Sequence, residues 1–189
     1  MPIRRARVAD IATLVELERL FPTDRLSARS FRRFIRGDCA DVWAYETRNA
    51  LLGNAVVLYR RGARVARLYS LVVAPRARGQ GIGGALLAWV ERQVARRGCR
   101  ELRLEVRPEN RRAQEMYRRR NYALRGLRAG FYDDGKAAVV MAKTFTPAAR
   151  RPSSRRKASA RRARAAGNAA MRTRRAATRV RRAAPGRRG

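Results

Sequence analysis

Leu71-Val-Val-Ala-Pro-Arg-Ala-Arg-Gly-Gln-Gly-Ile-Gly-Gly84 is an apolar run that breaks into a glycine-rich turn and then into a helical pattern. Glycines at 79, 81, 83 and 84 let the main chain approach a ligand with no Cβ in the way. The helix that follows, Gly81 to about Arg97, carries Leu86, Leu87, Val90 and Val94 on one face and stops at Gly98. Its first N–H groups have no partner within the helix and sit at the positive end of its dipole, so they favour an anion at the turn. A cofactor bearing a pyrophosphate fits that description.

The flanks of this stretch set the fold. Upstream, Asp41–Thr47, Leu51–Tyr59 and Arg64–Val73 read as strands joined by short turns, an antiparallel meander. Downstream, Glu101–Val106 alternates strictly, with Leu102, Leu104 and Val106 facing one way and Arg103 and Glu105 the other. A helix from Glu109 to Arg120 follows, with Ala113, Met116 and Tyr117 on one face. Two further strands, Tyr122–Phe131 and Ala137–Phe145, flank the turn Asp133-Asp134-Gly135. At the start, residues 3–8 read as a strand, and Asp10 caps a helix with Ile11, Leu14, Val15 and Leu17 inward, ended by Pro22. A second short helix runs from Ser27 through Phe31, Phe34 and Ile35 to Gly37. The expected class is α/β, a mixed and mostly antiparallel sheet flanked by helices, with one βαβ crossover carrying the glycine turn.

Gly79-x-Gly81-x-x-Gly84 also satisfies the dinucleotide fingerprint, and Glu105 lies about 20 residues further on, as that fingerprint asks. Three features count against it. Ala-Pro-Arg-Ala-Arg separates the glycines from the strand, the preceding strands form a meander, and only one βαβ unit is present where a dinucleotide needs two halves. A nucleotide-hydrolase P-loop is excluded because no Gly-Lys-Ser/Thr follows.

Charge divides the chain. Sixteen of its 47 basic residues and none of its 14 acidic ones lie between Pro147 and Gly189, so that stretch carries +16 of the net +33. Its only sizeable apolar residues are Met171 and Val180, too few to offset the entropy of ordering. The expected organisation is a domain over 1–146 and a disordered Arg/Ala-rich tail over 147–189. The tail suits nucleic acid or another polyanion, bound without sequence preference. With no histidine in the chain, Ser-His-Asp and Cys-His catalysis and any histidine metal site are excluded. Cys39 and Cys99 have no CxxC spacing, so no metal site is expected; they read as buried or half-buried thiols in a reducing cytosol. No apolar segment reaches membrane-spanning length and Met1-Pro-Ile-Arg-Arg5 has no signal-peptide core, so no membrane association and a cytoplasmic location are expected.

Val-x-Pro-x-x-Arg-Gly-x-Gly-x-Gly followed by Leu-Leu on a helix resembles the acetyl-coenzyme A motif of the GNAT superfamily of N-acetyltransferases. Leu104-Glu-Val-Arg-Pro-Glu-Asn-Arg-Arg-Ala-Gln-Glu-Met-Tyr117 is similar to the second half of its bacterial ribosomal-protein alanine N-acetyltransferase branch. The similarity covers roughly residues 3–145. It implies acetyl-CoA as cosubstrate, with backbone groups of Leu71, Val72 and Val73 on the pantetheine arm. It further implies Arg78, Gly79, Gln80, Gly81, Ile82, Gly83 and Gly84 at the pyrophosphate, with Asn110 touching the cofactor. Glu105 matches the family's proton acceptor and Tyr117 its proton donor, and the Val73 N–H is implied as oxyanion donor. From the residues alone, Glu105 reads equally as a carboxylate paired with an Arg, and Tyr117 as a core aromatic.

Two departures stand out. Asn121-Tyr122 replaces the family's Gly-Phe, and Asn is the next best residue for a left-handed C′ position. Gly135-Lys-Ala-Ala-Val-Val-Met141 lacks the acidic residues that this branch places before its last strand, while Phe131-Tyr132 keeps the aromatic pair. The amine acceptor therefore stays open among protein N-termini, lysine side chains and small amines. The alternative is a nucleic-acid-associated binding protein whose domain of this fold turns over weakly.

Overall fold

Seven strands form one sheet in the computed structural model, which describes residues 2–20, 25–48 and 50–145. Pro22 and the Arg-rich stretch 147–189 lie outside the described residues. The strands are β1 (Ile3–Arg5), β2 (Ala40–Glu46), β3 (Leu51–Tyr59), β4 (Val65–Val73), β5 (Glu101–Val106), β6 (Ala123–Arg128) and β7 (Ala138–Thr144). The helices are α1 (Ile11–Glu18), α2 (Ala28–Arg36), α3 (Ile82–Arg96) and α4 (Arg111–Arg119). The sheet order is β1-β2-β3-β4-β5-β7-β6, with every adjacent pair antiparallel except β4 and β5. That one parallel step is the crossover that carries α3, as the glycine stretch requires.

Alternation along β3 divides the core. Ala55 and Val57 join a cluster with Leu86, Leu87, Val90 and Val94 of α3 and with Leu68, Leu102, Leu104 and Met141. Val56 turns the other way, to Leu14 of α1, Phe31 of α2, and Val42 and Ala44 of β2. The period-2 pattern thus feeds a layer of helix on each face. Among the described residues, no helix is long and apolar enough to cross a membrane.

The N-terminal segment departs from the expected strand. β1 stops at Arg5, and Val8–Asp10 forms a 3-10 turn. Asp10 does not cap α1. Its carboxylate instead accepts the Arg7 N–H at 2.6 Å and the Arg4 guanidinium at 2.7 and 2.9 Å, the nearest cation and the nearest free N–H both lying upstream. The last two strands are shorter than expected. β6 begins only after Asn121 (φ 64°), where the Asn121 N–H reaches the Arg118 carbonyl and the Tyr122 N–H reaches that of Tyr117, closing α4 in a Schellman turn. β6 ends at Arg128, because the N–H groups of Phe131 and Tyr132 both turn back to the Lys136 carbonyl. Cys99 is buried as expected, but Cys39 is exposed, and both are free thiols.

Candidate active site

The sheet opens where β4 bends. β3 pairs Val56 with Ser70 and then Val57 with Leu68, so Tyr69 is a bulge that bends β4. β4 and β5 stay paired only from Val65 opposite Glu101 to Leu68 opposite Leu104. Beyond that, Ser70 to Val73 keep their β3 partners and diverge from β5. A cavity of about 930 Å³ occupies the divergence.

One end of the cavity is main chain. After β4, a 3-10 turn over Pro75–Ala77 leads to Gly79 (φ 84°) and Gly81 (φ 75°), both in the left-handed region that a side chain resists. Gly81 is the N-cap of α3 and no side chain caps it, so the N–H groups of Ile82, Gly83 and Gly84 are unclaimed by the helix. A Cβ at Gly83 would touch Val73 and Met116, at 3.6 and 3.5 Å, whereas one at Gly84 would meet nothing within 4 Å. Unclaimed donors, a helix N-terminus and open space fit a diphosphate. Leu71, Val72, Val73, Arg78, Gly79, Gly81, Ile82, Gly83, Gly84 and Asn110 all line this cavity. Gln80 is the exception: it does not line the cavity, and its amide donates to the Arg76 carbonyl at 3.3 Å.

Glu105 and Tyr117 line the same cavity. The Glu105 carboxylate accepts from Arg67 Nε at 2.8 Å and lies 4.0 Å from Arg128 Nη1, so it is both Arg-paired and turned to the cavity. Tyr117 is buried and packs against Tyr122 at 5.6 Å between centroids. Burial, and secondarily Tyr132, push its hydroxyl well above the ordinary phenol value, which keeps the proton on it at neutral pH. The helix that bears it is fixed at both ends. Asn110 accepts the Ala113 N–H at 3.1 Å, and Glu91 of α3 takes Arg120 at 2.7 Å and Lys143 at 3.0 Å.

Three further residues line the cavity away from the glycine loop. Glu18, 1% exposed, lines the cavity from the last turn of α1, where Ser70 Oγ donates to it at 2.6 Å and Asn54 Nδ2 at 3.2 Å. Desolvation pushes its pKa up, against the pull of Ser70, Asn54 and the Leu26 N–H. Its signal in the sequence is a carboxylate at the third place of the inward row Ile11, Leu14, Glu18, where an apolar residue belongs. Phe131 and Tyr132 line the mouth, stacked edge-on at 4.9 Å, with Arg67 over Phe131 at 5.5 Å and Arg107 over Tyr132 at 3.9 Å. Arg67 itself carried no sequence signal, because in a strand pattern its role depends on what stands beside it.

Comparisons with known proteins agree with this geometry. The family model described as Acetyltransferase (GNAT) family matches residues 10–122. An uncharacterised N-acetyltransferase of Methanocaldococcus jannaschii is 39% identical over 77 residues, 40% of this chain; the match spans about half (49%) of that relative's length. Among solved structures, the ribosomal-protein-S18-alanine N-acetyltransferase of Escherichia coli superposes with a TM-score of 0.68 at 23% identity, over 79% of this chain and 96% of its own. Ard1 of Thermoplasma volcanium gives 0.69 at 21%, over 76% and 97%. NAA60 of Arabidopsis thaliana, solved with a bisubstrate analogue, gives 0.69 at 18%, over 77% and 98%. These likenesses carry the fold, and the match over residues 10–122 carries the family: the chain belongs to the GNAT family of acetyltransferases.

Proposed function

We propose that this chain is an acetyl-CoA-dependent N-acetyltransferase whose acceptor is the α-amine of a protein or peptide. The observation that carries the reading is the single cavity between β4 and β5, which joins the unclaimed N–H groups of α3 to Glu105 and Tyr117. The α3 amides and Arg78 would hold the diphosphate, and the open edge of β4 from Leu71 to Val73 would hold the pantetheine arm. Bound there, acetyl-CoA supplies the activated acetyl group.

An amine acceptor is protonated near neutral pH and cannot attack until it loses a proton. Glu105, facing the cavity from the end of β5, takes that proton at Oε1, the oxygen that Arg67 leaves open. Tyr117, which lines the same cavity, gives its Oη proton to the departing sulfur. Glu18 on the opposite wall has no cation beside it among the described residues, so its carboxylate draws the acceptor's ammonium inward. Phe131 and Tyr132 supply flat walls for a chain that follows the amine. A peptide acceptor is supported by the ribosomal-protein-alanine enzyme, and the NatC complex bound to Gag peptide and CoA, among the similar structures. On this reading residues 1–146 are the enzyme and 147–189 an appended polyanion-binding tail.

The test is CoA-thiol release with three acceptors: a peptide with a free N-terminus, the same peptide N-terminally blocked but containing lysine, and a small alkylamine. Release with the first alone supports the proposal. Release with either of the others alone moves the acceptor class. Tight acetyl-CoA binding with no release from any of them favours the weakly turning-over, nucleic-acid-bound alternative.

A further inference from the structure

Among the described residues the arginines without an ion pair are spread over the domain, and six of them lie together at one end of the sheet. β4 runs from the β3–β4 turn to the glycine loop, so those two features lie at opposite ends of the sheet, about 25–30 Å apart at strand rise. At the end away from the cavity, hydrogen bonds tie three connections together. The Arg100 N–H donates to the Arg64 carbonyl at 2.6 Å, the Tyr59 N–H to that of Cys39 at 2.8 Å, and the Phe145 N–H to that of Arg100 at 2.7 Å. Arg36, Arg60, Arg61, Arg64, Arg96 and Arg100 converge there, and all six are exposed.

Among the described residues none of the six is ion-paired. The nearby acids are mostly engaged: Asp41 with Arg5, Arg97 and the Tyr59 hydroxyl, and Glu101 with Arg103 and Arg125. Asp38 is the one exposed acid alongside them. Gathering six like charges without counter-charges disfavours the folded domain through repulsion and gives it no packing in return.

We infer that this end of the folded domain is a nucleic-acid-binding surface that grips the phosphodiester backbone, and that it holds the enzyme on its partner with the cavity facing away. Guanidinium forks match phosphate oxygens two at a time, and duplex DNA offers about one negative charge per 1.7 Å of axis. Of the aromatic rings among the described residues at this end, Tyr59 lies beneath Arg97 at 4.0 Å and Phe145 packs against the core, so neither stands free for base stacking and the contact reads backbone rather than sequence. Among the described residues Val65 is the one exposed large apolar side chain at this end, too little to enter a bilayer.

The test uses the full chain, binding measured by fluorescence anisotropy against a labelled duplex DNA of about 20 base pairs and a single-stranded RNA of similar length, across salt concentrations. R60A/R61A/R64A/R100A is compared with a control that removes four scattered arginines, R7A/R19A/R48A/R92A. The surface variant is expected to flatten the plot of log affinity against log salt by about 0.9 per lost phosphate contact on duplex, roughly 3.6 in all, or about 0.7 per contact on the single strand. The control is expected to change it by less than about 1. The polymer that shows the larger change is the partner class. R60A/R61A alone, both in an exposed turn, is expected to change the slope by about 2 on duplex and guards against a fold defect at β5. An unchanged slope, an equal change in the control, or anionic phospholipid vesicles bound as tightly as the duplex at the same salt would overturn the inference. None of these outcomes touches the acetyltransferase reading, which thiol release tests separately.

Discussion

Arg67 Nε donates to Glu105 Oε2 at 2.8 Å, and the same guanidinium lies 5.2 Å from the ring of Tyr69 and 5.5 Å from that of Phe131. One side chain thus fixes the carboxylate proposed as base and ties the bulge of β4 to the aromatic pair that lines the cavity. Arg67 also lines the cavity, and it is expected to act chiefly by positioning Glu105.

E105Q is expected to lower kcat by roughly 10²–10⁴-fold, the ordinary worth of a positioned base, with acetyl-CoA affinity unchanged. R67A keeps the carboxylate but frees its rotamer, so kcat falls by less, and R67K restores part of the loss. Steady-state thiol release alongside calorimetric acetyl-CoA binding reads the difference. Equal kinetics for E105Q and the parent enzyme would remove Glu105 from the chemistry.

Glu18 predicts a pH dependence of stability with a definite sign. Burial raises its pKa in the folded chain above the ordinary glutamate value near 4.3, so between those two pH values the folded state binds more protons than the unfolded one. Stability therefore falls as pH rises through that window, and the penalty is fully present above it. E18Q is expected to flatten this part of the Tm–pH curve and, if Glu18 draws in the acceptor, to raise the acceptor KM more than it lowers kcat. An E18Q curve parallel to that of the parent would refute the assignment.

Two glycines of the loop separate strain from space. Gly81→Ala places a Cβ in the left-handed region at a cost of about 1–2 kcal/mol, and is expected to lower Tm and acetyl-CoA affinity together. Gly84→Ala meets no protein atom within 4 Å and improves helix propensity by up to about 1 kcal/mol. It is expected to raise Tm while weakening acetyl-CoA binding. Thermal melts with and without the cosubstrate distinguish the two.

Glu91 is buried between Arg120 and Lys143, both more than two-thirds buried themselves. Glu91→Ala leaves two cations unpaired and is expected to cost roughly 3 kcal/mol, read as a shift in the urea midpoint. The same change loosens the end of α4, so kcat should fall further than in a variant of equal instability elsewhere.

The order of elements was legible from local pattern alone. Strict alternation marked β5, helical spacing of Leu86, Leu87, Val90 and Val94 marked α3, and Asn121 announced the left-handed stop of α4. Each of these signals lies within one turn or one strand, so neighbouring residues suffice to read it. The glycine turn was legible for the same reason, since its backbone freedom is local.

The catalytic surroundings could not be read that way. Glu18 meets Ser70 and Asn54 across 52 and 36 residues, and Arg67 meets Glu105 across 38, pairings that the packing of α1 on the sheet and the register of β4 against β5 create. Asp10 failed as a helix cap for a like reason: a guanidinium brought alongside by β1 outcompeted a backbone N–H. The six arginines at the end away from the cavity are spread from residue 36 to residue 100, and only the convergence of three connections makes them one surface. Sequence fixed which residues could act; long-range strand pairing decided which of them stand together, because charge and hydrogen bonding act through space and not along the chain.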